Sequence, residues 1–101
     1  MDRRCASAAE EFILLARQSR KVTLFGSNFA GCLDYSNLRE IELSSGDYFL
    51  RLPVSRSRRL PDRPVDLAGI EPDVRIPDSE SDPLGFAHEH LIRMDRRRDS
   101  R

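Results

Sequence analysis

Cys5-Ala6-Ser7-Ala8-Ala9-Glu10-Glu11-Phe12-Ile13-Leu14-Leu15-Ala16-Arg17 sets a lone serine among small side chains where an amphipathic helix begins. It follows an extended, charged start, Met1-Asp2-Arg3-Arg4. That position suits a nucleophile. A serine hydroxyl attacks well only when a base takes its proton, and the oxyanion it creates needs donors already aimed at it. The first N–H groups of a helix lack intrahelical acceptors and lie at the positive end of its dipole, so the Ala8 N–H is the candidate donor for Ser7. Ala6, Ala8 and Ala9 leave room for a substrate backbone, as glycines do in a Gly-x-Ser-x-Gly elbow, a motif this chain lacks. Ser7-x-x-Glu10 is also a capping box, and on these residues alone capping is the preferred reading.

Working outward, apolar residues at 8, 12, 15 and 16, widened by Ile13 and Leu14, predict a helix over 8–19 lying on a sheet. Burial of Phe12 and Leu15 would contribute about 1.5–3 kcal/mol each. Arg17, Arg20 and Lys21 are placed to end the helix in solvent. Val22 to Phe25 reads as a short strand covered on both faces. If residues 1–4 close a preceding parallel strand, a right-handed crossover brings Ser7 and the loop from Gly26 to Leu33 to one carboxyl edge, where sites in α/β sheets form.

Residues 37–43 and 48–54 predict a hairpin through Ser44-Ser45-Gly46-Asp47. Arg51 to Arg59 is the most basic stretch, but no aromatic residues alternate with its arginines, and it reads as a solvated loop. Prolines 61, 64, 72 and 77 punctuate a loop with one short strand at 74–76. Asp82-Pro83 opens a second helix to Met94 with Leu84, Ala87, Leu91 and Met94 on one stripe. Its His88-Glu89-His90 lacks the i, i+4 spacing of a zinc pair and reads as packing or surface.

The chain has 101 residues, 39% hydrophobic and 34% charged. The usual charged share is about 25%, so this composition suits a piece of a larger domain. Seventeen basic and seventeen acidic residues cancel, which gives no argument for nucleic-acid or membrane partners. No apolar run approaches the ~20 residues of a membrane span. Cys5 and Cys32 form no zinc spacing and read as two small buried thiols.

Cys5-Ala6-Ser7-Ala8-Ala9-Glu10 resembles the Ser-Ala-Ser-Ala-Ser-Glu signature of the C-terminal processing (tail-specific) serine peptidases. That family's relatives include the tricorn core protease and the interphotoreceptor retinoid-binding protein repeats. Val22-Thr23-Leu24-Phe25-Gly26 with Asn28-Phe29-Ala30-Gly31 resembles its strand and Thr-Ala-Gly loop. Tyr48 to Pro53 is similar to its later strand, Gly69-Ile70-Glu71-Pro72-Asp73-Val74 to its Gly-Val-x-Pro-Asp motif, and Asp82-Pro83-Leu84 to the start of its closing helix. The Gly-Lys-Gly of the Ser-Lys members is replaced by Ala30-Gly31-Cys32-Leu33, and the sole lysine is Lys21. The resemblance is therefore to the lysine-free, tricorn-like branch.

What the resemblance implies is an α/β, crotonase-like β-β-α sandwich fragment. Residues 1–92 would be the C-terminal portion of a peptidase catalytic domain and 93–101 a charged, disordered tail. Ser7 would be the nucleophile, Ala8 the backbone oxyanion donor and Asp66 the acid, with Glu71 a poorer candidate. Gly26, Ala30 and Gly31 would line the substrate groove, and the base would be a histidine upstream of Ser7. The expected substrate is a polypeptide. No metal or cofactor is required, and the partners would be the upstream part of the same protein or a second copy. Members are often extracytoplasmic. The isolated chain is expected to be inactive. The other reading is a non-catalytic peptide-binding or assembly module on the same fold.

Overall fold

The computed structural model describes residues 1–100. It is a mixed α/β chain: α1 (Ala8–Ala16), β1 (Phe25–Gly26), β2 (Tyr35–Glu42), β3 (Phe49–Arg56), β4 (Val74–Arg75) and α2 (Pro83–Asp99). β1 and β4 pair in parallel, Phe25 beside Val74 and Gly26 beside Arg75. Met1 adds a rung on the other edge of β1, its ammonium donating to the Phe25 carbonyl at 2.8 Å and its carbonyl accepting the Ser27 N–H at 3.0 Å. Those two bonds have the parallel pattern, so α1 crosses between neighbouring ladder positions. Gly26 makes the approach feasible: its φ is 129°, and a Cβ there would run into the Met1 carbonyl.

The predicted hairpin is present, two residues earlier in its first strand and two later in its second. β2 and β3 pair antiparallel from Tyr35–Arg56 to Glu42–Phe49. Gly46, at φ 74°, closes the turn by donating its N–H to the Leu43 carbonyl at 2.9 Å. The two strands pack chiefly on each other, and Leu38, Ile41, Phe49, Leu50, Leu52 and Val54 stay exposed. The molecule is accordingly elongated, 68 × 31 × 17 Å with a radius of gyration of 18.5 Å, against ~13 Å for a rounded chain of this length.

Its core is small. Leu24, Phe29, Leu33, Val65 and Ile70 are buried, with Met1, Cys5, Ile13, Leu14 and Val22 packed against them. The face of α1 is not the one predicted: Phe12 is 68% and Leu15 60% exposed, whereas Ile13 and Leu14 point inward and Glu10 is fully buried. Positions 13 and 14 are the i+3 and i+4 neighbours of Glu10, so burying that carboxylate turns residues 12 and 15 outward. α1 also ends at Ala16, and the Arg17 guanidinium reaches Asp73 Oδ1 at 2.8 Å instead of solvent.

α2 begins as predicted, with Asp82 Oδ1 accepting the Gly85 N–H at 2.9 Å. Its inner side is Phe86, Ala87 and His90, not Leu84, which is 84% exposed. The His90 ring meets Phe25 edge-on at 5.5 Å and stacks on Phe86 at 6.3 Å. The helix continues through Asp99, past the predicted end at Met94, because no glycine or proline interrupts Arg93 to Asp99. Cys5 is half-buried and Cys32 exposed, both free, which corrects the pair of buried thiols.

Two loops are locked by a reciprocal clasp. Asp34 Oδ2 accepts the N–H groups of Val65 and Asp66 at 2.6 and 2.8 Å, while Asp66 Oδ1 accepts those of Leu33 and Asp34 at 2.6 and 2.7 Å. Burial pushes the Asp34 carboxyl up, but the Asp66 and Val65 N–H groups and the Arg59 guanidinium together outweigh it and hold the pKa below the ordinary value. Asp73 is lowered by the Leu24 N–H and, against some burial, by Arg17. Because both folded values lie below the unfolded ones, the unfolded chain takes up these protons first. The stabilisation is present above about pH 4 and is lost as pH falls through the folded values. Urea unfolding should therefore show a midpoint that drops steeply below about pH 4, and Asp34→Asn/Asp73→Asn should flatten that acid arm while lowering stability at pH 7 by about 2–4 kcal/mol.

Candidate active site

Asp2 prepares the approach to Ser7. Its Oδ1 accepts the Arg4 N–H at 2.8 Å and its carbonyl accepts the Cys5 N–H at 3.1 Å, a turn that delivers the chain to the start of α1. Arg4 also pairs with Asp2 at the surface. The Ser7 carbonyl then accepts the Glu11 N–H at 3.0 Å, the first turn of the helix.

Ser7 itself adopts φ 53°, ψ −111°, a region that L-residues rarely enter. Such a conformation costs of order 1–3 kcal/mol and persists only where its surroundings over-determine it. The residue is exposed, as is Ala8, whose N–H finds no acceptor among the described residues. The predicted capping box is present, and its carboxylate half carries more than a cap. Glu10 Oε2 accepts the N–H groups of Ser7 at 3.0 Å and Cys32 at 2.9 Å, and Oε1 accepts that of Gly31 at 2.8 Å.

The loop predicted to lie at the same edge is there. The Ala30 N–H donates to the Cys5 carbonyl at 3.0 Å, one residue before Gly31 and Cys32 reach Glu10. The glycines sit differently from the substrate-lining expectation. Gly26 is buried under Met1, and Gly31, at φ 75°, holds its Cα against the backbone of residues 65–69, where a Cβ would lie 2.7 Å from the Gly69 nitrogen. Both are needed for backbone to pack on backbone. Of the three predicted lining residues, Ala30 is a half-buried residue bonded directly to the segment before Ser7.

Asp66 lies across that loop from α1, half-buried. One oxygen belongs to the clasp with Leu33 and Asp34, and Oδ2 accepts no hydrogen bond among the described residues. A continuous run of bonds thus links Ser7 through Glu10 to Gly31 and Cys32, and through Leu33 and Asp34 to Asp66. Glu71 stands apart, exposed and 3.6 Å from Arg75.

Arg59, read from sequence as part of a solvated loop, is half-buried. Its guanidinium lies 3.4 Å from Asp34 and 3.7 Å from Glu11 in the first turn of α1, and its buried Nε has no partner among the described residues. Glu10, Asp34 and Arg59 are the residues that sequence reasoning missed. Only Glu10 carried a signal, as the fourth residue of the capping box. Among the described residues no group of three or more His, Cys, Asp or Glu side chains is arranged to hold a metal ion, and no helix is long and apolar enough to cross a membrane.

No family model, curated protein or solved structure matches this chain.

The strained backbone makes a testable statement about residue 7. Glycine accepts this φ/ψ freely, whereas alanine keeps the strain and loses the hydroxyl. Ser7→Gly should therefore be more stable than Ser7→Ala in thermal unfolding by about 1–3 kcal/mol, the strain adding to the ordinary preference for glycine over alanine at an N-cap.

Proposed function

We propose that the chain is the nucleophile-bearing, C-terminal portion of a serine-type peptidase similar to the tail-specific family, on a crotonase-like β-β-α scaffold. The observation that carries this reading is Ser7: exposed, at positive φ, at the start of α1, beside an Ala8 N–H with no acceptor among the described residues. A strained serine at a turn into a helix is the arrangement that presents Oγ outward in nucleophile elbows.

In the proposed reaction Ser7 Oγ attacks the scissile carbonyl of a polypeptide while a base takes its proton. The Ala8 N–H, with the positive end of the α1 dipole behind it, stabilises the tetrahedral oxyanion. The base returns the proton to the leaving amine, and water then cleaves the acyl-enzyme. By the resemblance the base is assigned to a histidine upstream of Ser7 in the complete polypeptide; His88 and His90 both lie on α2, His88 exposed and His90 packed on Phe25 and Phe86. The open oxygen of Asp66 suits an acid that orients that base. Ala30 and its neighbours would form one wall of the substrate groove.

A non-catalytic peptide-binding or assembly module is the second reading, favoured by the exposed apolar residues on the β2–β3 hairpin. The two separate on Ser7. In the complete polypeptide, Ser7→Ala should abolish both peptide hydrolysis and labelling by a serine-directed phosphonate, with stability changed by only ~1 kcal/mol. Hydrolysis surviving in that variant rules out the peptidase reading. Peptide binding without any labelling of the wild type selects the binding module.

A further inference from the structure

Glu10 does more than a helix cap requires. A capping box needs one acceptor for the N–H of the capping residue, and an exposed glutamate with water around it meets that need. Here the carboxylate is fully buried, and two of its three donors, Gly31 and Cys32, lie 21 and 22 residues further along the chain. Burying an ionised carboxylate is unfavourable unless hydrogen bonds replace its water, and these three N–H groups are the replacement.

The third donor is Ser7 itself. With φ at 53° and ψ at −111°, its N–H is turned inward to Oε2 while the residue remains exposed. Relaxation of Ser7 to an ordinary backbone conformation would swing that N–H away and break the bond. The same carboxylate fixes Gly31 and Cys32, and the adjoining Ala30 N–H is tied to the Cys5 carbonyl.

We infer that Glu10 is a positioning residue for the nucleophile: one buried carboxylate holds Ser7 in its exposed, strained geometry and sets the distance from it to the Ala30–Cys32 wall. This rests on the peptidase reading above. Glu10 touches no substrate. Its loss lets Ser7 relax and moves the hydroxyl relative to the Ala8 N–H, so the effect falls on the chemical step and not on substrate affinity.

The test uses the complete polypeptide with Glu10→Gln, Ser7→Ala and, as a stability control, Asp73→Asn. Asp73 braces Leu24 and Arg17 at the opposite, amino end of β1 and β4. Steady-state kinetics on a peptide, phosphonate labelling at saturating reagent and circular dichroism are measured together. Glu10→Gln is expected to lower kcat and the saturating labelling rate about a hundredfold while KM stays within about threefold. Asp73→Asn is expected to lose thermal stability yet keep kcat within about threefold of wild type.

A folded Glu10→Gln with wild-type kcat, or with KM alone altered, overturns the inference while labelling of wild-type Ser7 keeps the peptidase reading. Activity persisting in Ser7→Ala removes that reading itself. If Glu10→Gln does not fold, Glu10→Asp is assayed, which keeps the charge one methylene short and is expected to show the same kcat loss to a smaller extent. Failure of both to fold at any temperature makes Glu10 a folding residue only, and overturns the inference as well.

Discussion

The Glu10 carboxylate accepts three backbone N–H groups from inside a fully buried position, and the body of this protein is assembled around it. Its parallel sheet is too short to organise a core: β1 and β4 contribute two residues each, with Met1 as a third rung. Loops 27–34 and 65–70 therefore carry much of the architecture. Loops have backbone donors that no ladder satisfies, and each one buried without a partner is unfavourable. Glu10, Asp34, Asp66 and Asp73 serve as acceptors where strands would otherwise have stood.

This use of carboxylates explains how five buried apolar side chains are enough to fix a unique arrangement. Hydrophobic burial is non-directional and would tolerate several placements of the loops on α1. A carboxylate oxygen within 2.6–3.0 Å of named N–H groups tolerates few. The Asp34–Asp66 clasp is directional in both senses, each aspartate holding the backbone of the other. Breaking either half leaves donors stranded in a place water does not reach, so the two loops move as one unit.

What the sequence made legible follows the range of the interactions. The hairpin was readable because Ser44-Ser45-Gly46-Asp47 is a local turn between two apolar runs, and the start of α2 because Asp82-Pro83 caps locally. The face of α1 was misread because any count of apolar residues favours Phe12 and Leu15 over a glutamate. Only the later arrival of Gly31 and Cys32 makes Glu10 the buried position. The clasp was invisible for the same reason, since Asp34 and Asp66 are 32 residues apart and nothing in either neighbourhood announces the other. At the site, the position of Ser7 and its loop at one edge was readable. The packing role of Gly26 and Gly31 was not, because a glycine that admits substrate and one that admits a neighbouring backbone are the same letter.

The accounting of donors also shows which N–H would serve Ser7 in the proposed reaction. The Ser7 N–H is already committed to Glu10, so it is closed to an incoming carbonyl. The Glu11 N–H closes the first helical turn on the Ser7 carbonyl, and the Ala9 N–H reaches back to Ala6 at 3.1 Å. Among the donors next to the hydroxyl, Ala8 is left, exposed and without a competing acceptor among the described residues. That freedom is ordinary for the first position of a helix, because a capping side chain accepts from the second or third N–H and leaves the first open. What the buried Glu10 carboxylate adds is fixity: by holding the Ser7 N–H it sets where residue 7 stands relative to that open donor.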